Sequence, residues 1–205
     1  MKTMKSCVES RAIQVMLSAL LLMLYGCATP VQEAQQPSGS STVVKGEPSQ
    51  LQPGLSVVYI FQKYRNVDQV PRGAEALRMG RRGKPVTILN HQSGKKESVF
   101  DSGRSQGVGM VIEGFLNLEK PGTYRWQAMA NDGIRMFIDN KMIFEDPKVH
   151  SDRLTPTGTL QVAKGGQHPV EIIYFQRKGT ASLKLYWQPP GAEQFSLVPT
   201  EVYWH

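Results

Sequence analysis

Several groups of residues in this 205-residue chain have types and spacings that could carry chemistry. Gly103-Arg104-Ser105-Gln106-Gly107 matches the pattern of a nucleophile elbow, in which a serine is presented on a sharp turn between a strand and a helix. A strand-like run, Val108 to Leu118, follows Ser105 instead of a helix, so the match reads as a turn. His91, His150, His168 and His205 show no paired spacing on one element of the kind that holds a catalytic zinc, and read as structural or solvated. Glu145 and Asp146 are neighbours on a strand-like run and so point to opposite faces. A glycosidase needs two carboxyl groups facing each other across a cleft. No catalytic residue is expected. Asp132-Gly133 and Asp139-Asn140 carry the residue types that tolerate the positive φ of tight turns, and each has a purely structural reading as a turn.

The cysteines lead to a different chemistry. Lys2, Lys5 and Arg11 precede an apolar run from about Ala12 to Tyr25 that stops at Gly26-Cys27, which is the grammar of a secretory signal. As a helix the run reaches about 22 Å, short of a hydrocarbon core of about 30 Å. Leu24-Tyr25-Gly26-Cys27 resembles the lipobox of bacterial lipoproteins. The resemblance implies that residues 1–26 are removed as a signal peptide and that the Cys27 thiol becomes the lipidated, palmitate-bearing first residue. Ala28 resembles the sorting residue that sends Gram-negative lipoproteins to the cell outer membrane. Cys7 lies in the discarded segment, so the mature chain has neither an intrachain disulfide nor a cysteine zinc site and must rest on an apolar core.

The elements that would position any site begin well after the anchor. Thr29 to Pro53 is rich in Gln, Ser, Pro and Gly and nearly empty of large apolar residues, so it cannot bury enough surface to offset its ordering entropy. Residues 27–53 read as a lipidated flexible tether and residues 54–205 as one domain, long enough for a sizeable core. The net charge is +7, and it is unevenly placed: Lys63 to Arg104 holds ten Lys and Arg against four Asp and Glu, while Ser105 to His205 holds ten of each. Arg78, Arg81, Arg82, Lys84, Lys95 and Lys96 suit either an anionic envelope polymer or a solvated loop face. Nucleic acid is not an expected partner of an exported chain without a recognisable binding module.

Inside the domain the hydrophobic period is two. Val57, Tyr59 and Phe61 alternate, as do Tyr124, Trp126 and Ala128, then Ile134, Met136 and Ile138, then Met142 and Phe144 across a tight turn at Asp139-Asn140. Leu160 and Val162, then Val170, Ile172 and Tyr174, then Leu183, Leu185 and Trp187 continue the pattern, and Val108 to Leu118 and Pro85 to Leu89 supply two more candidate strands. Many short strands at turn-marked spacing predict an all-β antiparallel sandwich or barrel, with one face of each sheet buried. Trp126 and Trp187 fall in register with the core, while Tyr186, Tyr203 and Trp204 lie off the pattern and either stack on sugar rings or close the sandwich.

The ordered series Pro121-Gly122-Thr123-Tyr124, Asn131 to Lys141, Gly158, Gly165-Gly166-Gln167-His168-Pro169-Val170, Leu183-Leu185-Trp187 and Leu197-Val198-Pro199 resembles the PA14 domain family. The likeness is firm from about Val108 to Pro199 and loose from Gly54 to Gln106. It implies a β-sandwich of the kind used as a carbohydrate-binding or adhesive module, without catalysis. It also implies that the loop at Asn131, Asp132 and Gly133 is the ligand-binding end, where the sugar-binding members hold a calcium ion on two adjacent aspartates. Here that pair reads Asn131-Asp132, so Asn131 and Asp132 are the implied metal ligands with one carboxylate fewer. Calcium, which takes six to eight oxygen ligands, is the implied cofactor, bound more weakly on charge grounds.

The resulting expectation is a membrane-anchored, non-catalytic module that binds a carbohydrate or another envelope polymer, or mediates envelope adhesion. The alternative is a structural subunit that uses the same fold to hold a protein partner in an envelope assembly.

Overall fold

The computed structural model describes residues 51–205. The expected signal peptide, Cys27 and the expected tether as far as residue 50 lie outside the described residues. The strands are β1 (Ser56–Ile60), β2 (Arg81–Arg82), β3 (Asn90–Ser93), β4 (Val108–Leu118), β5 (Gly122–Asn131), β6 (Ile134–Ile138), β7 (Lys141–Asp146), β8 (Arg153–Leu154), β9 (Gly158–Val162), β10 (Gly166–Gln176), β11 (Ala181–Gln188), β12 (Ser196–Leu197) and β13 (Tyr203–Trp204). They form two antiparallel sheets. One runs β2-β1-β4-β10-β6-β7 with β13 also on β4, and the other runs β12-β11-β5-β8 with β3 on β11 and β9 on β5. The expected all-β sandwich is therefore what the chain forms.

Period-two alternation explains the core between the sheets. Val57 and Tyr59 of β1, Met110 and Ile112 of β4, Tyr124 and Trp126 of β5, Ile172 and Tyr174 of β10 and Leu183 and Leu185 of β11 all bury their side chains there. The run Ile172-Ile173-Tyr174-Phe175 does not alternate with polar residues because β10 is covered on both faces. Ile173 and Phe175 point outward into a second apolar cluster with Val58, Ile60, Tyr64, Val67, Val70 and Ala76. That cluster lies beneath a 3-10 turn (Val67–Gln69) and one short helix, α1 (Gly73–Met79). Asn66 caps the turn by accepting the Asp68 N–H at 3.0 Å, while the Gln69 side chain accepts the Arg65 N–H at 2.7 Å.

Sequence and structure part company between Arg65 and Gly107. Pro85 to Leu89 is not a strand. Only Val86 pairs, with Leu55, through N–H to carbonyl bonds of 2.8 and 2.9 Å, and Pro85 has no N–H to extend the ladder. The strand lies just beyond, as β3, whose Asn90-His91-Gln92-Ser93 is too polar to show alternation. Pairing at the amino end starts earlier than Gly54: the Gln52 N–H donates to the His205 carbonyl, the His205 N–H donates to that of Gln52, and Pro53 bridges Trp204. Tyr203 is 0% exposed, so it closes the sandwich and is not a sugar-stacking residue. Among the described residues no helix is long and apolar enough to cross a membrane.

Candidate functional site

β5 carries Asn131 to one end of the sandwich, and three other segments converge on it. Gln92 and Ser93 arrive at the end of β3, Ser151 and Asp152 come from the connection between β7 and β8, and Thr180 comes from the turn between β10 and β11. With Gly94 and Glu97 these residues line an open cleft of about 550 Å³. Apart from one glycine, every residue on its wall bears a side chain able to hydrogen-bond.

The cleft is organised by Asn131. Its side-chain amide donates from Nδ2 to Asp152 Oδ1 at 2.7 Å and to Thr180 Oγ1 at 3.0 Å. Asp152 also accepts from Gln92 Nε2 at 3.4 Å, and Gln92 in turn accepts from Lys184 Nζ at 2.8 Å. The Gly94 N–H donates to Glu97 Oε2 at 2.7 Å, which fixes the turn after β3. A chain of polar contacts thus runs from Lys184 on β11 to Thr180, and Asn131 is its hinge. The Tyr174 hydroxyl donates to the Asn131 carbonyl, which ties this end of β5 to β10.

Of the three residues expected at the ligand end, only Asn131 faces the cleft. Asp132 is 3% exposed and lies behind it, with Oδ2 accepting the Arg177 N–H at 2.7 Å and its own N–H donating to the Phe175 carbonyl at 3.1 Å. Burial raises the Asp132 carboxyl above the ordinary aspartate value, against the opposing pull of the Arg177 N–H and of His150. The Asn131–Asp132 peptide bond is cis. Gly133 is there for space: a Cβ would stand 2.5 Å from Phe175 Cε1 and 2.8 Å from the Pro147 carbonyl oxygen.

These contacts bear on calcium. A hard cation needs oxygens turned toward one point. Facing the Asp152 carboxylate, the Asn131 carboxamide must turn its N–H₂, not its oxygen, and one Asp132 oxygen is already taken by Arg177. Among the described residues no group of three or more His, Cys, Asp or Glu side chains is arranged to hold a metal ion. The arrangement is a hydrogen-bonded cluster that satisfies itself, with an amide N–H₂ set against Asp152, and it does not fit a preassembled calcium cage.

The enzyme-like patterns fall apart in three dimensions. Ser105 leads directly into β4, so no strand-turn-helix elbow forms. His91 stacks on Phe100 at 4.1 Å between ring centroids and accepts the Phe100 N–H, and burial lowers its pKa. His168 pairs with Asp139 at 2.7 Å, and His205 Nδ1 lies 3.0 Å from the Gly54 carbonyl oxygen. His150 lies 3.3 Å from Asp146, which is held by Arg153, so Asp146 has a structural partner. The basic stretch is also partly committed, since Arg81 donates to the Asp101 and Ser102 carbonyls and packs over the Tyr59 ring.

Sequence reasoning missed Asp152 and Thr180. Each lies far along the chain from Asn131, and only the meeting of three loops brings them together.

No curated protein matches the chain. Several solved structures share its fold. The PA14 domain of the MpAFP antifreeze protein has a TM-score of 0.61 at 15% identity, covering 77% of this chain and 93% of that one. A PA14 sugar-binding domain from an RTX adhesin has a TM-score of 0.58 at 19% identity, covering 75% and 98%. The Epithelial Adhesin 9 A domain from Candida glabrata, in complex with Galβ1-3GlcNAc, has a TM-score of 0.56 at 11% identity, covering 73% and 88%. The chain spans about half, 48%, of an anti-sigma factor domain-containing protein to which it is similar with a TM-score of 0.59 at 17% identity, 74% of this chain being covered. At these identities the structures speak for the fold. The sequence pattern of the PA14 domain matches residues 52–201, most of the chain, and on that match the chain belongs to the PA14 domain family.

Proposed function

We propose that this protein is a non-catalytic glycan-binding or adhesive module, held at the cell outer membrane by lipid on Cys27, and that its ligand lies in the cleft beside Asn131. The observation that carries the reading is the chemistry of the cleft wall: Gln92, Glu97, Asn131, Ser151, Asp152 and Thr180 carry donors and acceptors, and the wall has no apolar side chain. Such a surface suits a polyhydroxylated ligand, whose many hydroxyls each donate and accept. Two similar structures support the choice of ligand class, one named a sugar-binding domain and one in complex with Galβ1-3GlcNAc. Loops set on a rigid two-sheet scaffold are also where binding residues concentrate.

In this reading the native residues contact the glycan directly, and binding persists in chelator because Asn131 already does for Asp152 what an ion would do. A glycan array probed with and without calcium tests it. Binding that is unchanged by chelator and lost in Asp152→Ala supports the proposal, and an array without any bound glycan removes it.

The second reading, a structural subunit that contacts a protein partner, is favoured by one observation. Leu77 and Met79 on α1 are each 47% exposed, on the side of the sheet away from the main core. Co-purification of an envelope protein that is lost on Leu77→Ser and Met79→Ser, with an empty glycan array, would select it.

A further inference from the structure

The end of the sandwich opposite Asn131 has its own cavity. β5 runs for ten residues from Gly122 to Asn131, roughly 30 Å of extended chain, so the two ends are well separated. At the Gly122 end, the last residues of β4 and β11, the turn after β4 and the 3-10 turn at Thr200–Val202 enclose about 240 Å³. That is the space of about eight waters, enough for one small ring and too little for a folded segment.

Its wall differs from that of the cleft. Trp187 lies 5.8 Å between ring centroids from both Tyr124 and Trp126, so two aromatic neighbours hold it in place. Trp126 is fully buried. The Tyr124 hydroxyl donates to the Lys120 carbonyl at 3.0 Å and accepts the Lys120 N–H at 3.2 Å, which fixes the turn beside the cavity. Trp187 is only partly buried and lines the opening. Around it stand Asn117, Glu119, Lys120 and Glu201. A hexopyranose has one face of C–H groups and an edge of hydroxyls. A fixed indole matches the face, and an amide with two carboxylates matches the edge. Two carboxylates against one ammonium also select against an anionic sugar.

We propose that this cavity is a second carbohydrate subsite, which stacks one neutral hexopyranose ring on Trp187 and holds its hydroxyls with Asn117, Glu119 and Glu201. The inference rests on the proposed glycan function for its ligand class only, and its residues are separate from those of the cleft at Asn131. Two sites at opposite ends would let one molecule bridge two glycan chains, so that attachment gains from both at once.

The test is an NMR titration of the full chain in a zwitterionic detergent with glucose, galactose and N-acetylglucosamine as probes, and glucuronic acid as the charged control. At least one neutral probe should shift the Trp187 indole N–H resonance while glucuronic acid leaves it in place. Trp187→Ala should weaken that binding about tenfold or more, which corresponds to about 1.4 kcal/mol. Glu201→Gln, on an exposed rim residue that does not endanger the fold, should also weaken it, whereas Asp152→Ala at the far cleft should not. A Trp187 resonance that ignores all three neutral probes overturns the proposal, as does unchanged affinity in Glu201→Gln. Binding that Asp152→Ala abolishes and Trp187→Ala spares overturns it too, while leaving the cleft reading intact.

Discussion

Asn131→Asp is the substitution with the most informative consequence. It removes the two donors that reach Asp152 Oδ1 at 2.7 Å and Thr180 Oγ1 at 3.0 Å, and it sets a second carboxylate where the N–H₂ stood. Two unit charges about 4 Å apart repel by about 4 kcal/mol at an effective dielectric constant near 20. Asp152 is exposed, so screening takes roughly half of that. Loss of a hydrogen bond to a charged acceptor adds about 1.5 kcal/mol. The expected destabilisation without metal at neutral pH is therefore about 3.5 kcal/mol, or roughly 7–14 °C in Tm for a domain of this size. Repulsion raises the folded-state pKa of the new pair. A group raised in this way contributes its stability below the ordinary aspartate value of about 3.9 and loses it as pH climbs through the raised value. The variant should thus approach the wild type in acid and fall behind toward neutrality. Calcium should recover most of the lost Tm in the variant and leave the wild type unchanged, because only the variant has two carboxylates with no donor between them. Differential scanning calorimetry across pH, with calcium or chelator, checks each step. A variant as stable as the wild type in chelator at neutral pH would refute the electrostatic reasoning.

Substitutions elsewhere have separate consequences. Asp132→Asn keeps an acceptor for the Arg177 N–H and removes a buried charge whose pKa burial has raised, so thermal melts should show neutral-pH stability held or increased and the loss of stability with rising pH above about 4 diminished. Gly158→Ala would set a Cβ 2.1 Å from the Ile143 carbonyl oxygen, and chemical denaturation should show a loss of about 1–3 kcal/mol. Cys27→Ser should abolish palmitate labelling and membrane partitioning, and a substituted chain that still incorporates palmitate would contradict the proposed anchor.

The sheets were readable in the sequence wherever alternation was strong. Val108 to Leu118 is β4 to the residue, and Asp139-Asn140 forms the expected turn between β6 and β7 with φ of 52° and 60°. α1 was not readable, because a seven-residue helix that begins at Gly73 is too short for a hydrophobic period to emerge. β3 and β2 were hidden for another reason: Asn90-His91-Gln92-Ser93 and Arg81-Arg82 are polar edge pieces, paired through backbone groups that composition does not report. The candidate cleft was half legible. Asn131 stood out through the family resemblance, but its partners are set by topology. Nothing local to Asp152 or Thr180 announces that the connection between β7 and β8 and the turn after β10 meet the end of β5.

The cleft beside Asn131 is proposed to take a glycan without an ion. The most direct measurement follows the Asn131 side-chain amide and Thr180 resonances by NMR as Galβ1-3GlcNAc, or the strongest array ligand, is titrated into the full chain in chelator. Saturable shifts at both positions, lost in Asp152→Ala, are expected. Saturable binding that leaves both resonances unmoved, or that requires added calcium, would contradict it.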